Sequence, residues 1–333
     1  MGGLAFQVPA RLGLTRAWRV FDRTSVPVVL LHGVLPDADA SPFNASGKFI
    51  SPARLGAYLE RITRVFTVVS AEDLLGELAA GRRPSNAIVL TFDDGYANNR
   101  EHALPLLARM GLPFTVFVTT GFLDSPAVLW NDLLEFALYS TREQRLPAGT
   151  LAGELPLGSA AERRAAIATL KQALKRKPRA QAVEEVDHLC GVLGTDPTAS
   201  KLADVRFMTS DDVRHLADAG VGIGGHGVTH AVLSRETEDR ARAEVVDCKA
   251  RLEGLTGRSV RLFAYPNGRR EDFTPAVKRD LAKAGYEAAF TTIHGLHKPG
   301  EDLFEIKRIS LDNRWTYEEF ETRATGILKA LRR

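Results

Sequence analysis

Two carboxylates stand side by side in Thr91-Phe92-Asp93-Asp94-Gly95-Tyr96, directly after the apolar run from Ala87 to Phe92. Adjacent carboxylates at the end of a buried strand repel each other and lose hydration unless something compensates them. A bound cation does so, because it stabilises the ionised form. A plain turn is the alternative, since Asp-Gly is a common turn dipeptide. A second cluster, Gly224-Gly225-His226-Gly227-Val228-Thr229-His230, sets two histidines four residues apart. On a helix or a tight helical turn that spacing brings both imidazoles to one side, as chelation requires. A hydrogen-bonded corner would produce the same pair, and the chain has eight histidines from which chance could draw one. Two histidines, one aspartate and a position left for water make a workable site for zinc or a similar divalent ion.

Two more segments end apolar runs in the same manner. Phe263-Ala264-Tyr265-Pro266-Asn267-Gly268 carries a Pro-Asn-Gly turn whose backbone N–H groups could meet a developing oxyanion. Standing alone, it reads equally well as a tight turn. His32 closes the run Val28 to Leu31. A lone histidine beside apolar residues is more often a satisfied core group, but this one shares the strand-end position of the other clusters.

The elements that must position these groups alternate along the chain. Apolar, strand-like runs at Val26–His32, Val65–Val69, Ala87–Phe92, Phe114–Thr119, Val221–Gly225, Val260–Tyr265, Ala288–Thr292 and Lys307–Leu311 are separated by helical patterns. Among these, Ser51-Pro52 opens a helix with Leu55, Tyr58, Leu59 and Ile62 on one face, and Tyr96 to Met110 reads as a single helix ending at Gly111. Strand-helix repetition with continuously apolar strands predicts an α/β fold with a parallel sheet covered on both faces. The chemistry then gathers at the carboxyl ends of the strands. Residues 1–25 read as an N-terminal tail and 26–333 as one main domain. A helical, charged insertion at about 123–205 interrupts it.

Bulk properties narrow the class. The chain has 333 residues, 44% of them hydrophobic, enough for a sizeable core. Forty-four Lys+Arg against 41 Asp+Glu leave +3, which gives no electrostatic case for nucleic acid. The basic C-terminus from Lys329 to Arg333 could touch an anionic membrane surface, though a solvated helix end explains it more simply. The two cysteines, Cys190 and Cys248, show no metal-ligand spacing and read as buried free thiols. Residues 1–21 place Arg11, Arg16 and Arg19 among apolar residues and lack the continuous apolar core of a secretory signal. No run approaches the roughly 20 apolar residues of a membrane span. The expected location is cytoplasmic, with peripheral contact at the inner membrane face.

Taken together, the four clusters resemble the polysaccharide deacetylase family, the NodB-homology carbohydrate esterases. The Thr-Phe-Asp-Asp-Gly motif is intact at Thr91 to Gly95, and the family's His-Ser/Thr-x-x-His motif matches at His226 and His230. Gly227 replaces its Ser/Thr, which loosens support around the histidines without removing a ligand. In the motif Arg-x-Pro-Tyr-Gly, Ala264 stands at the arginine and Asn267 at the tyrosine, while Pro266 and Gly268 remain. The usual C-terminal Leu-x-His is absent after Leu311, and Leu30-Leu31-His32 resembles that motif moved to the N-terminus. Such a circularly permuted order is similar to that of poly-N-acetylglucosamine and exopolysaccharide-cluster deacetylases.

The resemblance implies a distorted (β/α) barrel that removes N-acetyl groups from an amino-sugar polysaccharide or its precursor. It implies one divalent metal ion, zinc or alternatively cobalt, nickel or iron, on Asp94, His226 and His230. Asp93 becomes the base that takes a proton from the attacking water. His32 delivers a proton to the leaving amine, and the Asn267 N–H helps hold the oxyanion. Tyr265, Pro266 and Trp130 are the expected substrate contacts. Trp130, with Asn131 and Asp132, opens the insertion; its ring suits stacking on a sugar and suits a packing anchor equally well. Two alternatives use the same residues: an O-deacetylase, and a catalytically silent carbohydrate-binding module, which the changes at Gly227 and Ala264 keep open.

Overall fold

Among the described residues, eight short parallel strands make the main sheet: β1 (Val28–Leu31), β2 (Thr67–Val69), β3 (Ala87–Phe92), β4 (Thr115–Val118), β5 (Gly222–Gly225), β6 (Leu262–Ala264), β7 (Ala288–His294) and β8 (Ile306–Ser310). The computed structural model describes residues 2–22, 25–82, 85–198, 200–298, 300–311 and 313–327. Seven strands close into a ring, β1-β3-β4-β5-β6-β7-β8, because β1 pairs with both β8 and β3. β2 lies against the first half of β3, with Thr67 opposite Ala87 and Val69 opposite Val89. This is the distorted (β/α) barrel that the sequence motifs imply.

Strand parity decides which side chains see the inside of the barrel. Val28, Val89, Phe117, Leu262, Phe290 and Ile306 form an inner cluster. Val29, Leu90, Val116, Phe263 and Ile309 pack outward with the helices. β1 and β3 are buried along their whole length, as a sheet covered on both faces requires. β5, Gly-Ile-Gly-Gly, is the exception in composition. A Cβ on Gly224 would lie 2.4 Å from the Phe117 ring, so the glycine gives up its space to a ring from the neighbouring strand.

The helices obey the expected start and stop chemistry. Ser51 accepts from the Arg54 N–H at the head of α3 (Pro52–Ile62), whose Leu55, Tyr58, Leu59 and Ile62 are buried as the spacing predicts. α4 (Ala71–Ala79) is capped by Ser70, and α9 (Ser210–Asp218) begins with a capping box at Thr209. α10 (Glu238–Thr256) ends on left-handed Gly257. α11 (Pro275–Lys283) and α12 (Tyr317–Thr325) follow β6 and β8. The helical stretch expected from Tyr96 to Met110 forms, with a π turn, Asn99–Ala103, running directly into α5 (Leu104–Arg109). Pro105 removes an amide donor in mid-helix, and the chain widens around the loss.

Residues 2–21 form α1 (Gly2–Arg11) and α2 (Leu14–Phe21), which pack on α12, with Thr15 Oγ1 donating to Glu321 Oε1 at 2.6 Å. The insertion folds as α6 (Trp130–Ser140), α7 (Ala160–Leu174) and α8 (Arg179–Val192). A two-residue antiparallel ladder, Arg145–Leu146 with Leu155–Pro156, is too short to show in the sequence. The insertion has its own hydrophobic cluster, including Leu134, Ile167, Leu170 and Leu189, apart from the barrel core. Both cysteines are free and buried, Cys190 in that cluster and Cys248 in the barrel's. No helix among the described residues is long and apolar enough to cross a membrane.

Leu170 is fully buried at the centre of the insertion. Leu170→Ala should therefore lower unfolding stability by about 2–5 kcal/mol, read from the midpoint of a urea titration. An unchanged midpoint would show that the insertion does not fold cooperatively around this cluster.

Candidate active site

Parallel strands put all their carboxyl ends on one face, so the four sequence clusters converge there. Asp93 and Asp94 follow β3, His226 follows β5, Asn267 lies past β6 and His32 follows β1. Leu31 pairs with Phe92, which sets His32 beside Asp93, and the Asp93 N–H donates to Leu31 O at 2.9 Å.

Asp94 Oδ1 lies 3.3 Å from His226 Nε2 and 3.3 Å from His230 Nε2. The three ligating atoms fall within 4.8 Å of one another. His226 Nδ1 donates to Ala264 O at 2.7 Å, which orients the ring and points Nε2 at Asp94. Asp94 and His230 both have left-handed backbone, with φ of 76° and 59°. Non-glycine residues hold that conformation, at a cost of about 1–3 kcal/mol, only where the surroundings over-determine it. Burial opposes ionisation of Asp94, yet hydrogen bonds from His226 and His230 hold its carboxyl well below the ordinary value. Burial works against a charged His226 too, but the charge of Asp93 and the hydrogen bond to Asp94 raise its pKa. A buried carboxylate between two inward-facing imidazole nitrogens is a donor set that fits a divalent cation in place of those protons.

Asp93 is held differently. Arg308 grips it with both arms of the guanidinium, Nη1 to Oδ1 at 2.7 Å and Nη2 to Oδ2 at 2.6 Å. Its Nε donates to Thr291 O at 2.8 Å and Nη1 also reaches Thr91 Oγ1 at 3.2 Å. Arg308 is only 1% exposed and shares the inward parity of Ile306. Where the family motif has arginine the chain has Ala264, and a guanidinium reaches the site from the last strand instead. The motifs did not reveal it. The missing arginine at Ala264 was the available signal, since it left a buried carboxylate without a cation.

His32 titrates below the ordinary histidine value because burial outweighs the opposing pull of Asp94 and Asp93, with Lys48 and Arg308 adding to the lowering. Asn267 has left-handed backbone, φ 60°, and is half-buried; its carbonyl accepts from Thr292 Oγ1. Its N–H has no hydrogen-bond partner among the described residues. Two of the expected substrate contacts are packed into hydrophobic layers. Tyr265 has the outward parity of β6, is fully buried, stacks on Phe273 at 4.2 Å and donates to Phe304 O at 3.0 Å. Trp130 is 9% exposed and packs into the insertion's own cluster. Pro266 is buried as well, 3.6 Å from where a Gly227 Cβ would sit, and so supports the histidine loop.

A second buried polar group lies beside the first. Tyr96 OH donates to Asp132 Oδ2 at 2.7 Å, and Lys48 forms an ion pair with the same carboxylate. Burial and the charges of Asp132 and Asp94 push the Tyr96 hydroxyl well above its usual value, so it stays a donor.

Removing Arg308 strands a buried carboxylate, a loss of about 3–5 kcal/mol for a buried pair with one partner missing. Arg308→Met should lower unfolding stability by that amount in a denaturant titration. A change under about 1 kcal/mol, the range of exposed pairs, would mean that the pair is solvated in solution.

The model of the family described as polysaccharide deacetylase matches residues 80–146 and 160–289. These segments hold Asp93, Asp94, His226, His230 and Asn267, and leave out His32 and Arg308. The match runs through α7 and α8, so it extends into the insertion. YxkH of Bacillus subtilis is 22% identical over 102 residues, 31% of this chain; the chain spans 36% of that relative's length. The deacetylase PplD of Streptococcus pyogenes, solved with acetate, superposes with a TM-score of 0.59 at 16% identity, over 90% of this chain and 97% of that one. IcaB of Ammonifex degensii also gives 0.59, at 17% identity over 91% and 97%. The BpsB deacetylase domain of Bordetella bronchiseptica gives 0.54, at 18% identity over 87% and 97%. The structures share the fold, and the family model covers more than half of the sequence: the chain belongs to the polysaccharide deacetylase family.

Proposed function

We propose that the chain is a metal-dependent hydrolase that removes N-acetyl groups from an amino-sugar polymer or its biosynthetic precursor. The observation that carries this reading is the division of two adjacent carboxylates between two partners. Asp94 faces two imidazole nitrogens, and Asp93 faces a guanidinium.

Asp94, His226 and His230 would hold the cation, zinc first among the ions that suit an imidazole-carboxylate set. When bound, it supplies Lewis acidity at neutral pH, polarising the scissile carbonyl and easing deprotonation of water. The remaining work falls to the chain's own groups. Arg308 fixes the plane of Asp93 while using one lone-pair direction on each oxygen, so another stays open to a proton from water. Asp93 takes that proton. The Asn267 N–H donates to the oxygen that gains charge as the carbonyl is attacked. His32 gives the leaving nitrogen its proton; a histidine with a lowered pKa is a stronger acid when protonated. Arg308 also bears on the reading of a silent binding module, since the site has a guanidinium although Ala264 does not provide one.

The two buried free thiols suit a reducing compartment, and we propose that substrate is met inside the cell, at the inner membrane face. Recovery of the full chain only outside the cell would overturn that placement.

Three variants test the chemistry. Asp94→Ala and His226→Ala should lose bound metal and with it hydrolysis of a chitooligosaccharide. Asp93→Asn should keep the metal and lose activity by roughly 100-fold or more, as expected for removal of a general base. Prolonged treatment with a chelator should abolish the wild-type activity, and added Zn(II) should restore it. Acetate release that survives metal removal would refute the proposal. His32→Ala separates amide from ester cleavage, because an alkoxide needs a proton less than an amine does. A large loss on N-acetyl substrates with little loss on O-acetyl esters supports the amide reading, and equal small losses support the O-deacetylase.

A further inference from the structure

The turn between the two histidines is more tightly held than its sequence suggests. Residues 227–229 expose several backbone groups near a metal centre, and each described partner can be named. Thr120 N–H donates to Gly227 O at 3.0 Å and Gly121 N–H to Val228 O at 2.7 Å. Arg179, at the head of α8 in the insertion, donates its Nε to Thr229 O at 2.8 Å. The two amides on the other side converge on one carboxylate. Val228 N–H and Thr229 N–H donate to Glu244 Oε2 at 2.7 and 2.8 Å, and Thr229 Oγ1 donates to Oε1. Glu244 lies on α10 and is 8% exposed.

We infer that Glu244 is a positioning residue for the metal centre, holding the 227–229 turn in the shape that aims His226 and His230 at Asp94. This rests on the reading of those three residues as ligands. The backbone on either side explains why a clamp is needed. Gly227 has φ of 79° and His230 has φ of 59°. The second is a strained conformation for a residue with a side chain. Three charge-assisted hydrogen bonds to one buried carboxylate are strong enough to hold it there. Gly227, where the family motif carries Ser or Thr, belongs to the same arrangement. A Cβ there would stand 2.8 Å from Glu244 Oε2, an oxygen already fixed by two amides. The glycine gives the carboxylate room to approach, and the support that a hydroxyl side chain would lend comes from α10. His226 has an independent tether through Ala264 O, so loss of Glu244 should release His230 first.

The test is metal affinity of the purified full chain, measured for Zn(II) by competition with a chelating dye and for Co(II) by its absorption spectrum. Glu244→Ala should weaken Zn(II) binding by roughly 10–100-fold, the range for residues that orient metal ligands. Its Co(II) spectrum should also differ from that of the wild type. Glu244→Gln should restore most of the affinity, because its carbonyl can accept both amides while its NH2 meets Thr229 Oγ1. Thr229→Val should lose a few-fold, and nothing further when combined with Glu244→Ala, since the two act through one contact. Wild-type Zn(II) affinity in a folded Glu244→Ala protein overturns the inference, and so does a Gln variant as weak as Ala. If Glu244→Ala does not fold, unchanged affinity in Thr229→Val overturns it instead. A wild-type chain that binds neither ion refutes the metal-centre reading itself, a result distinct from all of these.

Discussion

The buried pair of Arg308 and Asp93 is the constraint around which the rest of the active face is arranged. A guanidinium inside a barrel is tolerated only when its donors are used and its charge is matched. Here β3 supplies the carboxylate and the Thr91 hydroxyl, and β7 supplies the Thr291 carbonyl. Arg308 itself comes from the final strand, which joins the ring between β7 and β1. The pair therefore links the last strand of the ring to the end of β3, 215 residues earlier in the chain.

That pair also lets two neighbouring carboxylates differ. Side by side with the same partner, Asp93 and Asp94 would compete for one proton or one cation. Positive φ at Asp94 swings the backbone between them, so Asp94 meets the imidazoles while Asp93 meets Arg308. One strand end thus presents two adjacent carboxylates with different partners, Asp94 toward imidazoles and Asp93 toward a guanidinium. His32, on the neighbouring strand, lies in the field of both carboxylates. The charges around it are arranged by strand register, through Leu31 opposite Phe92, rather than by a contact between His32 and a dedicated partner.

Much of this was legible in the sequence, because the signals were local. Apolar runs ended by Asp-Asp, His-x-x-x-His and Pro-Asn-Gly named the strands and put Asp93, Asp94, His226 and His230 at their ends. The Ser51-Pro52 pair placed the start of α3. What failed needed parity or long-range pairing. Tyr265 adjoins Pro266 in sequence, yet strand alternation turns it to the outer layer under the helices. Arg308 follows Lys307 and looks like a solvated basic pair, yet the same alternation turns it inward beside Ile306. Alternation along each strand accounts for both cases: Ile309 faces the helices, so Arg308 turns inward, and Phe263 faces the helices, so Tyr265 does too. Glu244 gave no local signal, since its three donors lie 15 and 16 residues away across a loop.

The insertion shows how a segment with no motif can still bear on the site. Its own hydrophobic cluster is separate from the barrel core, and it docks through a third cluster in which Leu129 and Phe136 pack with Leu35, Phe43, Phe49 and Tyr96. Polar ties add direction to that contact. Asp132 meets Lys48 and Tyr96, and Glu135 takes Ala45 N–H, Ser46 Oγ and Lys171. Arg179 reaches Thr229 O. Lys48, Ala45 and Ser46 lie in the loop that begins after His32, and Thr229 precedes His230. The insertion therefore grips two loops that carry site residues, one after β1 and one after β5. Ionic and hydrogen-bonded contacts of this kind are directional, so they fix orientation where an apolar face would allow sliding. The insertion thus holds the backbone of the loops that carry His32 and His230, while the ring of Trp130 packs in the insertion's own core.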